Sequence, residues 1–249
     1  MKQYYTGDAG VEYFQYRRHT RVQWVQAIQA KRVIGRLMPR REDVIVDLGC
    51  GTGGILANIP CGTRIGVEIS ETAAREAREK GIQIVQRIEE LPDDCADGLI
   101  SHHALEHLEE PLQALRHCLR VLRPGARAVI VVPAEHPWRR GRGRWSSRDM
   151  NHHLYCWNAQ TLGNVLMTAG FELLDARVVL GIGYTRYGRV LSHIPGLRGI
   201  VSSLVAILRV RYETWAVVRR PVSTDGFPAP GLPKRGDGIG AETRVEIRS

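Results

Sequence analysis

The segment VDLGCGTGG, Val46 to Gly54, constrains this chain more than any other stretch. An apolar run, Val44-Ile45-Val46, stops at Asp47 and enters a turn with glycine at 49, 51, 53 and 54. Glycine lacks a Cβ and tolerates positive φ, so the backbone can bend sharply and a ligand can approach it closely. A turn of this kind at the mouth of an α/β sheet seats a nucleotide-like cofactor. Gly49, Gly51 and Gly54 fit the dinucleotide pattern G-x-G-x-x-G. Glu68 ends the next apolar run about 20 residues on, where a ribose-binding acid is expected. Asp47 argues for a different ligand. A carboxylate just ahead of the first glycine is badly placed beside a pyrophosphate, whereas it suits a cationic, amine-bearing ligand, directly or through water.

Around this turn the chain alternates strand and helix signals. A tyrosine-rich, irregular stretch (residues 1–20) precedes helical spacing of apolar residues from Thr20 to Leu37, stopped by Pro39. Strands are expected at Val44–Val46, Arg64–Glu68, Ile82–Val85, Gly98–Ser101 and Arg127–Val132. Between them fall a short helix Gly53–Ile59 and a helix from the N-cap Ser70 to Lys80, with Gly81 beyond it. A further helix has Pro111 at its first position and ends at Arg123-Pro124-Gly125. Alternation of this kind means βαβ units and a mainly parallel sheet, with ligands beyond the strands' C-terminal ends, near Asp47, Glu68 and Ser101. After a long basic loop, Pro133 to Met150, a helix runs from Asn158 to Ala169. Strands Phe171–Leu180 and Tyr212–Arg219 enclose an insert with an apolar segment, Leu197–Leu208. The residues from Pro221 on, rich in Pro, Gly and charge, read as a disordered tail.

Bulk properties exclude several classes. A chain of 249 residues with a 43% hydrophobic content can bury one large core. No apolar run approaches the ~20 residues of a bilayer span, and MKQYYTGDAGVEY has no signal-peptide core. Five scattered cysteines without a C-x-x-C pair suggest a reducing cytoplasm and no zinc-thiolate or disulfide framework. The net charge of +9, concentrated at Arg17–Arg21, Lys31–Arg41 and Arg139–Arg148, raises the prospect of anionic partners, although a solvated face explains the first two clusters.

With Asp47, Gly49, Gly51 and Gly53, the turn resembles the first motif, (D/E)-x-G-x-G-x-G, of the class I S-adenosylmethionine-dependent methyltransferases. The resemblance continues through IGVEIS (Ile65 to Ser70), ELPDDCADGLISHHALEHLEEP (Glu90 to Pro111) and LRVLRPGARAVIVVP (Leu119 to Pro133), covering residues 40–220 in order. It implies a Rossmann-like methyltransferase fold: α/β, doubly wound, with a mainly parallel seven-stranded sheet and a terminal antiparallel hairpin. The implied organisation is an N-terminal lid and helix (1–40) and a cofactor-binding domain (41–220) with a substrate loop (133–157) and a hairpin insert (181–210). A tail, 221–249, follows.

The resemblance implies S-adenosyl-L-methionine as cofactor, held by Asp47, Gly49, Cys50, Gly51, Gly53, Glu68, Ile69, Ile88, Glu89, Ser101 and His102. Glu68 would accept from both ribose hydroxyls. Arg87 stands where the family usually has an adenine-binding Asp, and arginine cannot accept a hydrogen bond. Adenine then falls to backbone around Ile88, to Glu89 or to apolar contact. The acceptor side is read as His103, Trp138, Trp145 and Tyr155, with His152 or His153 in the N-H-H-x-Y-x-W stretch as base. The run His103 to His107 fits H-x-x-E-H, but that motif needs a continuous helix and a further ligand. No metal is expected, and His107 reads as a capping or packing residue. Tyr4, Tyr5, Tyr13 and Tyr16 form either an N-terminal lid over the sulfonium or packing on the first helix.

The expected function is methyl transfer to a small or medium-sized acceptor, with a hydroxyl of a sugar, lipid-linked glycan or secondary metabolite preferred. An RNA methyltransferase and a non-catalytic cofactor-binding protein are the alternatives. Nucleic acid is the weaker partner, because N-P-P-Y and a separate recognition domain are missing. Leu197–Leu208 reads as a dimer contact or core helix ahead of a peripheral membrane contact.

Overall fold

A computed structural model describes residues 5–16, 23–134, 151–182 and 212–222. Its strands are β1 (Val44–Leu48), β2 (Thr63–Val67), β3 (Gln83–Val85), β4 (Ala96–His102), β5 (Leu122–Pro133), β6 (Glu172–Leu180) and β7 (Tyr212–Arg219). They form one seven-stranded sheet in the order β3-β2-β1-β4-β5-β7-β6. The first five strands pair in parallel, whereas β7 runs antiparallel to both β5 and β6. The sheet is thus doubly wound and mainly parallel, with the antiparallel hairpin at its end.

Side-chain alternation divides the core between the two faces. Val46, Leu48, Leu99, Ile130 and Ala216 point to one face, where α4 (Pro111–Val121) and α5 (Ala159–Ala169) contribute Leu115, Cys118, Leu162 and Leu166. Ile45, Ile100, Val129, Val131 and Trp215 point to the other. There they meet Val33 and Leu37 of α2 (Gln23–Leu37) and Ala77 of α3 (Glu71–Arg78). Because both faces are covered, the central strands are apolar almost throughout. Asp47 interrupts that rule, and it lies on the α2 side with Ile45. Strand order reverses between β1 and β4, so their C-terminal ends open the crevice at which doubly wound sheets bind ligands.

Several elements depart from the sequence reading. Residues 7–16, expected to be irregular, form helix α1 (Gly7–Tyr16). Two glycines and several aromatics give this segment little intrinsic helicity, so burial of Tyr5 and Phe14 against the rest of the molecule carries it. The helix expected at 53–59 is reduced to a 3₁₀ turn, Leu56–Asn58, and the Asn58 amide donates to Gly54 O (2.8 Å). Ser70 stands at the start of α3 without capping it through its side chain. Helix α4 stops at Val121, ahead of Arg123-Pro124-Gly125, because Leu122 already pairs with Ala96 on β4. At the far end Asn158 caps α5 by accepting from Thr161 N (2.9 Å), and Gly170 closes it at φ +105°. The tail from 223, the segment Leu197–Leu208 and the basic residues 139–148 lie outside the described residues.

Candidate active site

The glycine turn is built by the end of β1 reaching over to β2. Gly49 and Cys50 N–H groups both donate to Val67 O (2.9 and 3.2 Å). Gly49 has φ +74°, and a Cβ there would overlap the Cβ of Ala104, so the loop and the segment after β4 touch only because the position is glycine. The Gly51 N–H donates to Glu68 Oε2 (2.9 Å), and the Ser70 N–H donates to Glu68 Oε1 (2.8 Å). The acid that ends β2 therefore fastens the glycine loop and is itself fixed in place.

Beside this loop lies a cavity of about 830 Å³. Of the residues expected to hold a cofactor, Gly49, Cys50, Gly51, Glu68, Ile69, Ile88, Glu89 and His102 line it. Asp47, Gly53 and Ser101 do not. Asp47 is buried at the end of β1, and Ser101 is wholly buried inside β4, opposite Leu48. Arg87 also lines the cavity, its guanidinium donating to Glu89 Oε1 (3.3 Å).

The buried titratable groups beside the loop are acids. Burial, and then the neighbouring Glu68, push the Asp47 carboxyl up to about 8. Burial also raises Glu68, opposed by the backbone N–H groups of Ser70, Gly51 and Ile69. Asp47 Oδ1 has no hydrogen-bond partner among the described residues. Two buried carboxyls, one of them incompletely partnered, fit a ligand that brings positive charge and hydroxyl donors.

The cavity is also walled by imidazoles. His103 follows β4 with φ +57°. Its Nε2 lies 3.5 Å from Glu213 Oε1, and its Nδ1 lies 3.5 Å from Glu106 Oε1. The His102 ring stacks on it, with centroids 4.6 Å apart. Glu213, near the start of β7, accepts from Gln29 Nε2 (3.1 Å) and Trp215 Nε1 (3.0 Å). Burial pushes its carboxyl up, but His103, His102 and Trp215 outweigh that and bring it down to about 2. Glu213 is an anion aimed at an imidazole.

His153 lines the cavity, its ring edge-on to His107 at 4.9 Å between centroids, whereas His152 does not line it. Tyr155 does not reach it either, donating its hydroxyl to Glu109 O (2.8 Å). Trp138, Trp145 and Tyr4 lie outside the described residues. Tyr5, Tyr13 and Phe14 close the cavity from the α1 side, Tyr5 donating to Asn151 O (3.0 Å). Sequence reasoning did not single out Glu213 or Gln29. The available signal for Glu213 was an acid set in an otherwise apolar strand, Tyr212-Glu213-Thr214-Trp215-Ala216.

Residues 16–176 match the family model described as "Methyltransferase domain". A Mycobacterium tuberculosis protein named as a probable S-adenosylmethionine-dependent methyltransferase is 30% identical over 173 residues, covering 66% of this chain and 58% of that protein. An O-methyltransferase of Penicillium expansum is 30% identical over 161 residues, 56% of each chain. The chain thus spans less than two thirds of the length of these relatives. In fold it is similar to a methyltransferase solved in complex with the Haloferax volcanii Trm112 methyltransferase activator, with a TM-score of 0.62, 18% identity, and coverage of 84% of this chain and 96% of that one. With its glycine turn, the acid that follows β2 and the sheet order in agreement with that match, the chain belongs to the methyltransferase-domain family.

Proposed function

We propose that this protein transfers a methyl group from S-adenosylmethionine to a hydroxyl of a small or medium-sized acceptor, in the class of sugars, lipid-linked glycans or secondary metabolites. The observation that carries the reading is one continuous cavity lined both by Glu68 and the glycine loop and by the His103–Glu213 pair. S-adenosylmethionine supplies an electrophilic methyl; as the C–O bond forms, the C–S bond breaks with its electron pair on sulfur, leaving S-adenosylhomocysteine.

The chain's own residues do the rest. Glu68, already tied to Gly51 and Ser70, keeps further lone pairs for the ribose hydroxyls. Asp47 acts on the amine-bearing end from behind the loop, through its field and through water. Ile88 and Glu89 face the adenine, while Tyr13 and Phe14 exclude water from the methyl. His103 takes the acceptor's proton. Glu213 orients the ring through Nε2 and stabilises the imidazolium that forms, which leaves Nδ1 as the accepting nitrogen. His103 is favoured over His152, which does not line the cavity, and over His153, because its ring faces Glu213, held as an anion by the groups around it. The Penicillium relative, named as an O-methyltransferase, supports the hydroxyl class.

The test is methyl transfer from labelled S-adenosylmethionine into a small-molecule extract, with products read by mass spectrometry. An O-methylated product heavier by one CH₂ is expected. His103→Gln and Glu213→Gln should lower kcat by about 100-fold or more, with cofactor Kd nearly unchanged. Label on amines or RNA alone, or full rates in both folded variants, would sink this reading.

A further inference from the structure

A second cluster faces the same cavity. One ligand atom each from Glu106, His107 and His153 lie within 4.8 Å of one another. We propose that Glu106, His107 and His153 hold a divalent cation of the zinc class, placed to take the acceptor hydroxyl at its open position. The inference rests on the hydroxyl reading above for its purpose, though not for its ligands.

Three observations carry it. The donor set is two imidazoles and one carboxylate, which suits zinc and its neighbours better than magnesium or calcium, and three protein ligands with an open position is the pattern of catalytic zinc. The Glu106 side chain is fully buried, and its Oε1 lies 3.8 Å from His107 Nε2. Two ligands of one tetrahedral zinc stand about 3.3 Å apart, so a modest side-chain adjustment closes the set.

The third observation is the polarity of the hydrogen bonds behind His107. The Tyr5 hydroxyl donates to Asn151 O (3.0 Å), and its oxygen lies 2.9 Å from His107 Nδ1. The His152 carbonyl, which can only accept, lies 3.5 Å from Nδ1. A proton on Nδ1 thus has two oxygens to accept it, and in that tautomer Nε2, on the Glu106 side, is free to bind a metal. This is the outer-shell arrangement of a metal-ligating histidine.

The alternative group His102, His103 and Glu213 is less suited to a metal, because both Glu213 oxygens already accept N–H groups from Gln29 and Trp215. The sequence pattern H-x-x-E-H lacked a continuous helix and a further ligand. The chain forms a 3₁₀ turn at Leu105–His107, and His153 brings the ligand from a distant segment. His103 Nδ1 lies 3.5 Å from Glu106 Oε1, so the proposed base stands beside the cluster and could take the proton of a hydroxyl held there.

The test uses the full chain without a polyhistidine tag, stripped by chelator and titrated calorimetrically with Zn²⁺, with Co²⁺ as a spectroscopic probe. About one ion per chain is expected, with visible Co²⁺ bands of a four- or five-coordinate nitrogen and oxygen site. His153→Asn and Glu106→Gln should each weaken binding about 100-fold or more, and Tyr5→Phe, which removes the contact behind His107 together with the bond to Asn151 O, about 10-fold. If Glu106→Gln does not fold, His153→Asn decides alone. No stoichiometric ion, a sulfur-to-cobalt band that marks a cysteine site, or unchanged affinity in folded His153→Asn would overturn the proposal. O-methyl transfer at full rate by the metal-free protein would overturn the ion's role and leave the hydroxyl reading standing. Stoichiometric metal without any O-methyl product would support the site and remove the hydroxyl reading instead.

Discussion

Asp47 and Glu213 are both buried carboxyls, yet their surroundings drive them in opposite directions. Glu213 meets imidazoles and N–H groups and stays ionised, held down to about 2. Asp47 meets another acid and little else, and is pushed up to about 8. At pH 7 the free protein therefore carries Asp47 largely protonated. A bound cation lowers it, so cofactor binding at pH 7 should release up to about one proton, and affinity should tighten as pH rises from 6 toward 8. The stability effect has a definite sign. Because the folded value is raised, Asp47's contribution is fully present below the unfolded carboxyl value of about 4 and is lost as pH rises through about 8. Asp47→Asn should abolish both the proton release and this pH dependence, and weaken the cofactor about 10-fold. Calorimetry in two buffers of different ionisation enthalpy reads the proton; equal release in the variant would refute the assignment.

Helix α1 is the element the sequence hid. Its ten residues pair weak helix formers with aromatics, and only contacts made elsewhere in the chain determine its shape. Phe14 approaches within 4.0 Å of where a side chain on Gly51 would begin, which puts α1 over the glycine loop. Phe14→Ala should raise cofactor Kd about 5- to 10-fold, the loss of one aromatic contact, mainly through faster dissociation. Stopped-flow release of S-adenosylhomocysteine measures it, and an unchanged rate would reduce α1 to packing. The other elements were more legible. Strand β7 covers Tyr212–Arg219 as its β-branched and aromatic run predicts, and α5 starts from Asn158 and ends at Ala169 as expected. Boundaries failed where pairing competed with local signals, as at Leu122, which joined β4 before the Pro-Gly pair could end α4.

Across the whole molecule the two sets of residues around the cavity differ in how they are encoded. The set proposed for the cofactor comes from residues 47–54 and Glu68, a short continuous stretch whose spacing reflects one turn and the next strand. The set proposed for the acceptor draws on Tyr5, Gln29, His103, His153 and Glu213, which lie far apart in sequence and meet only through the sheet order. No spacing links a glutamate on β7 to a histidine after β4, so that half had to be seen folded. Net charge was a poor guide to this site: the chain carries +9, yet the buried groups nearest the glycine loop are acids. The most direct test of the cofactor reading is calorimetric titration of S-adenosylmethionine into the full chain and into Glu68→Gln at pH 7. The wild type should bind one molecule per chain, and the variant should bind at least about 10-fold more weakly, having lost charge-assisted hydrogen bonds to the ribose. No binding to the wild type, or equal affinity in a folded Glu68→Gln, would contradict it.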